Sequence, residues 1–110
     1  MDTLTIYRND TPTLKFTCTW KDTAEAIDLS AATLTLKCKT EDFATTIFTK
    51  ADASFDKANA ASGLVEVTLA AADTATAYQH AIAELEAYFS ATVRRLTLCR
   101  FWLKIVEDIA

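Results

Sequence analysis

Residues 77–89 read Ala77-Tyr78-Gln79-His80-Ala81-Ile82-Ala83-Glu84-Leu85-Glu86-Ala87-Tyr88-Phe89, and the fold class turns on them. As a strand, the odd positions Ala81, Ala83, Leu85, Ala87 and Phe89 face a core, while His80, Glu84 and Glu86 face away. As a helix, the Ala and Glu content is favourable, and Ile82, Leu85 and Phe89 share one face. The segment alone supports both readings. Its neighbours favour a strand, because strands precede it and a long strand follows it.

Those neighbours alternate with a period of two. In Leu14-Lys15-Phe16-Thr17-Cys18-Thr19-Trp20 every even position is apolar, the pattern of a half-buried strand. Leu34-Thr35-Leu36-Lys37-Cys38-Lys39 repeats it, and Val65, Val67 and Leu69 alternate around Glu66 and Thr68. Thr3-Leu4-Thr5-Ile6-Tyr7 makes a short first strand before the turn cluster Arg8-Asn9-Asp10-Thr11-Pro12. Thr45-Thr46-Ile47-Phe48-Thr49 reads as an edge strand, residues 51–62 as a loop, and residues 70–76 as a short helical turn. In the last strand, residues 92–107, Leu96 and Leu98 are even whereas Phe101, Leu103 and Ile105 are odd. Such a switch of face predicts a β-bulge or a bend. The sum is about seven strands with short turns over residues 1–110, an all-β, immunoglobulin-like β-sandwich in a single domain.

Composition excludes several functions. With 110 residues, 51% of them hydrophobic, the chain can bury a core without disulfides or metal. Its net charge of −4 argues against a nucleic-acid surface, and no apolar run is long enough to span a membrane. Met1-Asp2-Thr3-Leu4 has neither the basic nor the apolar region of a secretion signal, so export by a signal peptide is not expected. Cys18, Cys38 and Cys99 are widely spaced within apolar segments, which predicts buried, reduced thiols rather than a zinc site.

Little points to catalysis. One glycine precludes a phosphate-cradling loop, and His80 stands as the only histidine. Glu84 and Glu86 share a strand face, where Arg94, Arg95 or Arg100 offer cross-strand ion pairs. No catalytic residue, metal ligand or cofactor is assigned. The candidate interface is aromatic: if Phe101, Leu103 and Ile105 point inward, Trp102 points outward, beside Ile82 and Tyr88 of the preceding strand. Ile82, Tyr88 and Trp102 on one sheet face would mark a protein-association patch.

The pieces Tyr7-Arg8-Asn9-Asp10-Thr11-Pro12-Thr13-Leu14-Lys15-Phe16-Thr17 and Ala26-Ile27-Asp28-Leu29-Ser30-Ala31-Ala32-Thr33-Leu34-Thr35-Leu36 carry a resemblance. With Ala61-Ser62-Gly63-Leu64-Val65-Glu66-Val67-Thr68-Leu69, Ala72-Asp73-Thr74 and the stretch from Phe101 to Ile109, the chain resembles the N-terminal Ig-like domain of tailed-phage baseplate upper proteins. It departs from that pattern at Asn9 and at Ala31-Ala32, where the family tends to carry Gly and Gly-Ala, and no glycine lies between its last two strands. The resemblance implies a structural module of a phage or prophage tail or baseplate, docking on tail subunits in symmetric homo-oligomers and located in the virion or the bacterial host cytoplasm. Two alternatives stand beside it: an Ig-like adhesin or carbohydrate-binding module, and a small α/β enzyme or enzyme subunit if residues 71–89 are helical.

Overall fold

In the computed structural model, which describes residues 2–107, the ambiguous segment is a strand, β7 (Tyr78–Phe89). The helical premise of the α/β alternative is therefore not met at residues 78–89. The other strands are β1 (Thr3–Tyr7), β2 (Thr13–Thr17), β3 (Thr33–Thr40), β4 (Thr46–Lys50), β5 (Phe55–Asp56), β6 (Leu64–Thr68) and β8 (Arg94–Val106). They form a five-stranded sheet of order β1-β8-β7-β3-β4 and a three-stranded sheet of order β2-β6-β5. All neighbours are antiparallel except β1, which lies parallel to β8. The chain changes sheet after β1, β2, β4 and β6, the Greek-key order of an immunoglobulin-like sandwich. The buried Trp and inter-sheet disulfide found in antibody domains have no counterpart among the described residues: the inward positions of β3 are Leu34, Leu36 and Cys38, and all three cysteines are free.

Alternation accounts for the core. Leu34, Leu36 and Cys38 of β3, Val65 and Val67 of β6, and Leu103 and Ile105 of β8 are almost wholly buried. The alanines that make residues 77–89 look helical are small members of mixed core rows. Across β3, β7 and β8 these rows run Leu34–Ala87–Leu96, Leu36–Leu85–Cys99 and Cys38–Ala83–Phe101. Small side chains beside large ones let the two inner faces interdigitate. Tertiary burial thus overrides the poor strand propensity of Ala.

The predicted switch of face in the last strand is a bulge. Leu85 pairs with Cys99 but Glu86 pairs with Thr97, so Leu98 is the extra residue and β8 resumes alternation on the other parity. The helical turn falls at Ala71–Thr74 as a 3₁₀ turn. It is anchored through its last two residues: the buried Thr74 hydroxyl donates to the Asp10 carbonyl at 2.8 Å, and Lys50 meets Asp73 at 2.5 Å.

Two expectations need correction. Residues 51–62 are not a plain loop: β5 lies between 3₁₀ turns at Asp52–Ser54 and Ala60–Ser62, which makes eight strands. The second strand stops at Thr17 rather than running to Trp20. Cys18 is still buried, but the chain then reverses, with the Ala24 N–H donating to the Trp20 carbonyl. Trp20 is left outside the core, under the Arg94 guanidinium at 5.5 Å.

The scarcity of glycine is met by backbone strain. Gly63 has φ of 77°, and a Cβ there would lie 2.4 Å from the Cys18 carbonyl oxygen, so no other residue fits. Elsewhere, Asn9, Ala24, Phe43 and Val93 take the left-handed conformation themselves. Asn tolerates it, whereas for L-residues with a bulky or branched Cβ it costs about 1–2 kcal/mol. Phe43 and Val93 each follow a hydrogen-bonded turn, where a hairpin of this length usually places Gly.

Candidate protein interface

The outer face of the five-stranded sheet is a ladder of cross-strand rows. Lys39, Ile82, Trp102 and Thr3 form one row; Lys37, Glu84 and Arg100 form the next. Thr35, Glu86 and Thr97 follow, then Thr33, Tyr88 and Arg95. The three residues expected on one face do share it, but they do not form one patch. Ile82 and Trp102 are direct neighbours, whereas Tyr88 lies six residues further along β7, about 20 Å away at the rise of a strand.

The rows between them are ionic. Glu84 Oε2 accepts from Arg100 at 2.5 and 2.9 Å, and Glu86 Oε1 meets Arg95 Nε at 3.1 Å. These are the ion pairs that the spacing of Glu84, Glu86 and the arginines suggested. Both carboxylates thus have cationic partners. The Arg95 guanidinium also sits 5.5 Å above the Tyr88 ring, and Tyr88 is half-buried as a result of its neighbours on that face.

Around Trp102 the surface is more apolar. The exposed His80 ring meets the Trp102 indole edge-on at 5.9 Å. Ile82 is only 9% exposed, although its side chain lies on the outer face. It shares a shallow hollow of about 290 Å³ with Phe43, Lys37 and Lys39. Ile82 is therefore the buried floor beside Trp102 rather than a protruding anchor. Phe43 was not singled out from sequence. Its signal was an aromatic residue inside the polar turn Glu41-Asp42-Phe43-Ala44.

A second concave surface lies at the seam between the sheets. Leu4, Leu14, Phe16 and Phe101 line a cleft of about 440 Å³, with Asp2, Lys15 and Arg100 at its rim. It runs between the edge of β2 and residues 99–101 of β8, and the Phe16 and Phe101 rings approach to 6.1 Å across it. Sequence reasoning missed this cleft. Its position depends on which strands pair with β8 and over what stretch, which the alternation in the sequence does not show.

The thiols are poor nucleophiles. Burial pushes Cys38 up to about 12 and raises Cys18. Burial, with smaller contributions from Cys18 and Glu84, pushes Cys99 up to about 11. A thiol held this high is protonated at neutral pH. The acids with depressed pKa values are turn fasteners. Asp28 is lowered by the Ser30 hydroxyl and N–H, and Asp42 by the Thr40 hydroxyl and the Ala44 N–H. Asp52 is pushed up by burial, but the Leu34 N–H and Lys57 bring it below the usual carboxylate range. Among the described residues no three His, Cys, Asp or Glu side chains gather where they could hold a metal ion, and no helix is long and apolar enough to cross a membrane. No known family model and no curated protein sequence matches the chain.

Proposed function

We propose that this chain is a non-catalytic docking module of a phage or prophage tail or baseplate, working by burial of its outer sheet face against neighbouring subunits in a homo-oligomer. The observation that carries the docking part is the Trp102–His80–Ile82 cluster: a half-buried indole beside a buried aliphatic floor, with the exposed Arg100 in the next row. Trp and Arg supply most of the strong contacts in protein interfaces, and a stable contact of standard size buries roughly 800 Å² per partner. The tail setting rests on the resemblance of the β1–β2 turn, the approach to β3 and the Gly63 hairpin to baseplate upper proteins. In this role the ion-pair ladder keeps the rest of the face solvated and sets the register of the contact.

The test is incorporation and mass together. Light scattering on the purified chain should give an oligomer, and tail particles made in its presence should contain it. Trp102→Ala should weaken association by about tenfold or more, equivalent to about 1.4 kcal/mol. Unchanged oligomer mass and unchanged particle content in the variant would overturn the assignment of this face. Particles that lack the wild-type chain would overturn the tail setting.

A further inference from the structure

The docking reading leaves the three thiols unused, and two of them approach each other from opposite sheets. Two contacts fix how the end of β2 passes β8. The Phe16 and Phe101 rings lie 6.1 Å apart, and the Trp20 ring lies under the Arg94 guanidinium at 5.5 Å. Residues 16–20 therefore run past β8 in the opposite direction, from 101 towards 94. Cys18 is midway along that stretch and falls over residues 97–99, where Cys99 completes the core row Leu36–Leu85–Cys99. Both side chains belong to the inward set: Cys18 alternates with Leu14 and Phe16, and Cys99 with Phe101 and Leu103. Burial first, and then the Cys18 thiol, push Cys99 up to about 11, so the two sulfurs interact.

We propose that Cys18 and Cys99 form a disulfide that ties the two sheets together at the cleft when the chain meets a small-molecule disulfide oxidant such as oxidised glutathione. Cys99 lines the cleft, whereas Cys18 is only 7% exposed, so Cys99 reacts first. Its thiolate attacks one sulfur of the oxidant, giving a mixed disulfide and releasing one glutathione thiolate, which takes up the proton that Cys99 lost. The Cys18 thiolate then attacks Cys99 Sγ, and the second glutathione leaves and takes up the proton from Cys18. The two cysteine thiols lose two electrons, and one glutathione disulfide is reduced to two thiols. Because both cysteines are protonated at neutral pH, the exchange is slow there.

The fold selects this pair. Cys38 lies on β3, two strands from β8, so its backbone is about 10 Å from that of Cys99, beyond the roughly 7 Å that a disulfide spans. Hydrogen bonds hold the Cys18 backbone on both sides. Its N–H donates to the Gly63 carbonyl at 2.8 Å, and its carbonyl accepts from the Ile27 N–H at 3.0 Å. Cys99 follows the bulge residue Leu98, where the ladder to β7 is already interrupted, so it is the partner that adjusts. Antibody domains bridge their sheets from the second strand to the penultimate one. Here the penultimate strand offers Leu85, and the thiol stands beside it on the last strand. The bridge joins β2 to the half of β8 that, among the described residues, pairs only with β7. It leaves the Trp102 face untouched, so this proposal and the docking reading can fail separately.

The experiment incubates the intact wild-type chain, folded, with oxidised glutathione at about pH 8.5, near the ordinary thiol pKa. The intact mass should fall by about 2 Da, and a digest should hold one linked peptide pair containing Cys18 and Cys99, with Cys38 free. The melting temperature should rise by about 10 °C, because the bridge closes a long loop, and should return on reduction with dithiothreitol. Cys38→Ala should behave as the wild type does. Cys99→Ala, at a partly buried position, should keep the sandwich by circular dichroism and show neither the loss of mass nor the rise in melting temperature. Thiols still intact after prolonged incubation, or a stable glutathione adduct about 305 Da heavier, would overturn the proposal. So would a bridge that includes Cys38 or links two chains. A bridge that left the melting temperature unchanged or lowered would do the same, since it would have formed outside the native fold.

Discussion

Along β8, residues 102–106 lie between β7 and β1, whereas residues 94–101 have β7 on one side and no described strand on the other, with the cleft beside residues 99–101. The inward side chains record the difference. Leu103 and Ile105 in the closed half are almost completely buried, but Leu96, Leu98 and Cys99 in the open half are only partly so. The same alternating chemistry therefore yields core in one half and rim in the other. What changes is the presence of a third strand beside it. The open half also carries the devices that guard a sheet edge: a bulge at Leu98, and Arg94, Arg95 and Arg100.

The largest effect should separate the two halves directly. Leu103→Ala is expected to cost about 3 kcal/mol, because it opens a cavity where β1, β7 and β8 meet. Leu96→Ala should cost less than about 1 kcal/mol, since solvent already reaches that position. Urea denaturation of the two variants measures both, and equal losses would break the distinction between the halves.

A smaller effect, of opposite sign, is expected at the start of the open half. Val93 holds φ of 49° and is 78% exposed, so its side chain contributes little packing to offset the strain. Val93→Gly should therefore raise stability by about 1 kcal/mol. An unchanged or lowered denaturation midpoint would mean that Val93 makes a contact offsetting its strain. The smallest effect belongs to the ladder beside the open edge. Glu84→Gln should cost less than about 1 kcal/mol at low ionic strength, and less still in about 0.5 M salt, because Arg100 is half exposed. A salt-independent loss would show the pair to be part of the core's support rather than a solvated rung.

Much of this architecture is written in local patterns. The period of two in β2, β3 and β6 marks their inward faces, and the parity change between Leu98 and Phe101 marks the bulge. The two-residue offset of Glu84 and Glu86 places both carboxylates where arginines of the next strand can meet them. Other features leave weaker traces. Strand β5 is two residues long and shows no alternation to read. The end of β2 at Thr17 is set by Gly63, whose carbonyl accepts from the Cys18 N–H and whose missing Cβ lets the Cys18 carbonyl approach. Nothing near Trp20 in the chain announces a partner 45 residues away. The candidate interface shows the same division: parity places Ile82 and Trp102 on one face, but only the register makes them neighbours and sets Tyr88 apart.

Alternation, charge spacing and the lack of glycine are properties of adjacent residues, and these alone settle which side chains face inward, where a strand must bulge and that turns must bear strain. Whether residues 77–89 are helix or strand, and which stretch of β8 remains uncovered, depends on pairing between segments far apart in the chain. Ala81, Ala83 and Ala87 accept a strand because β3 and β8 flank them and bury them completely. Among the described residues no strand lies beside residues 94–101, since β1 pairs with β8 from Trp102 to Val106. Local patterns carry no information about the length of a distant partner, so that edge becomes visible only once the sheet is assembled.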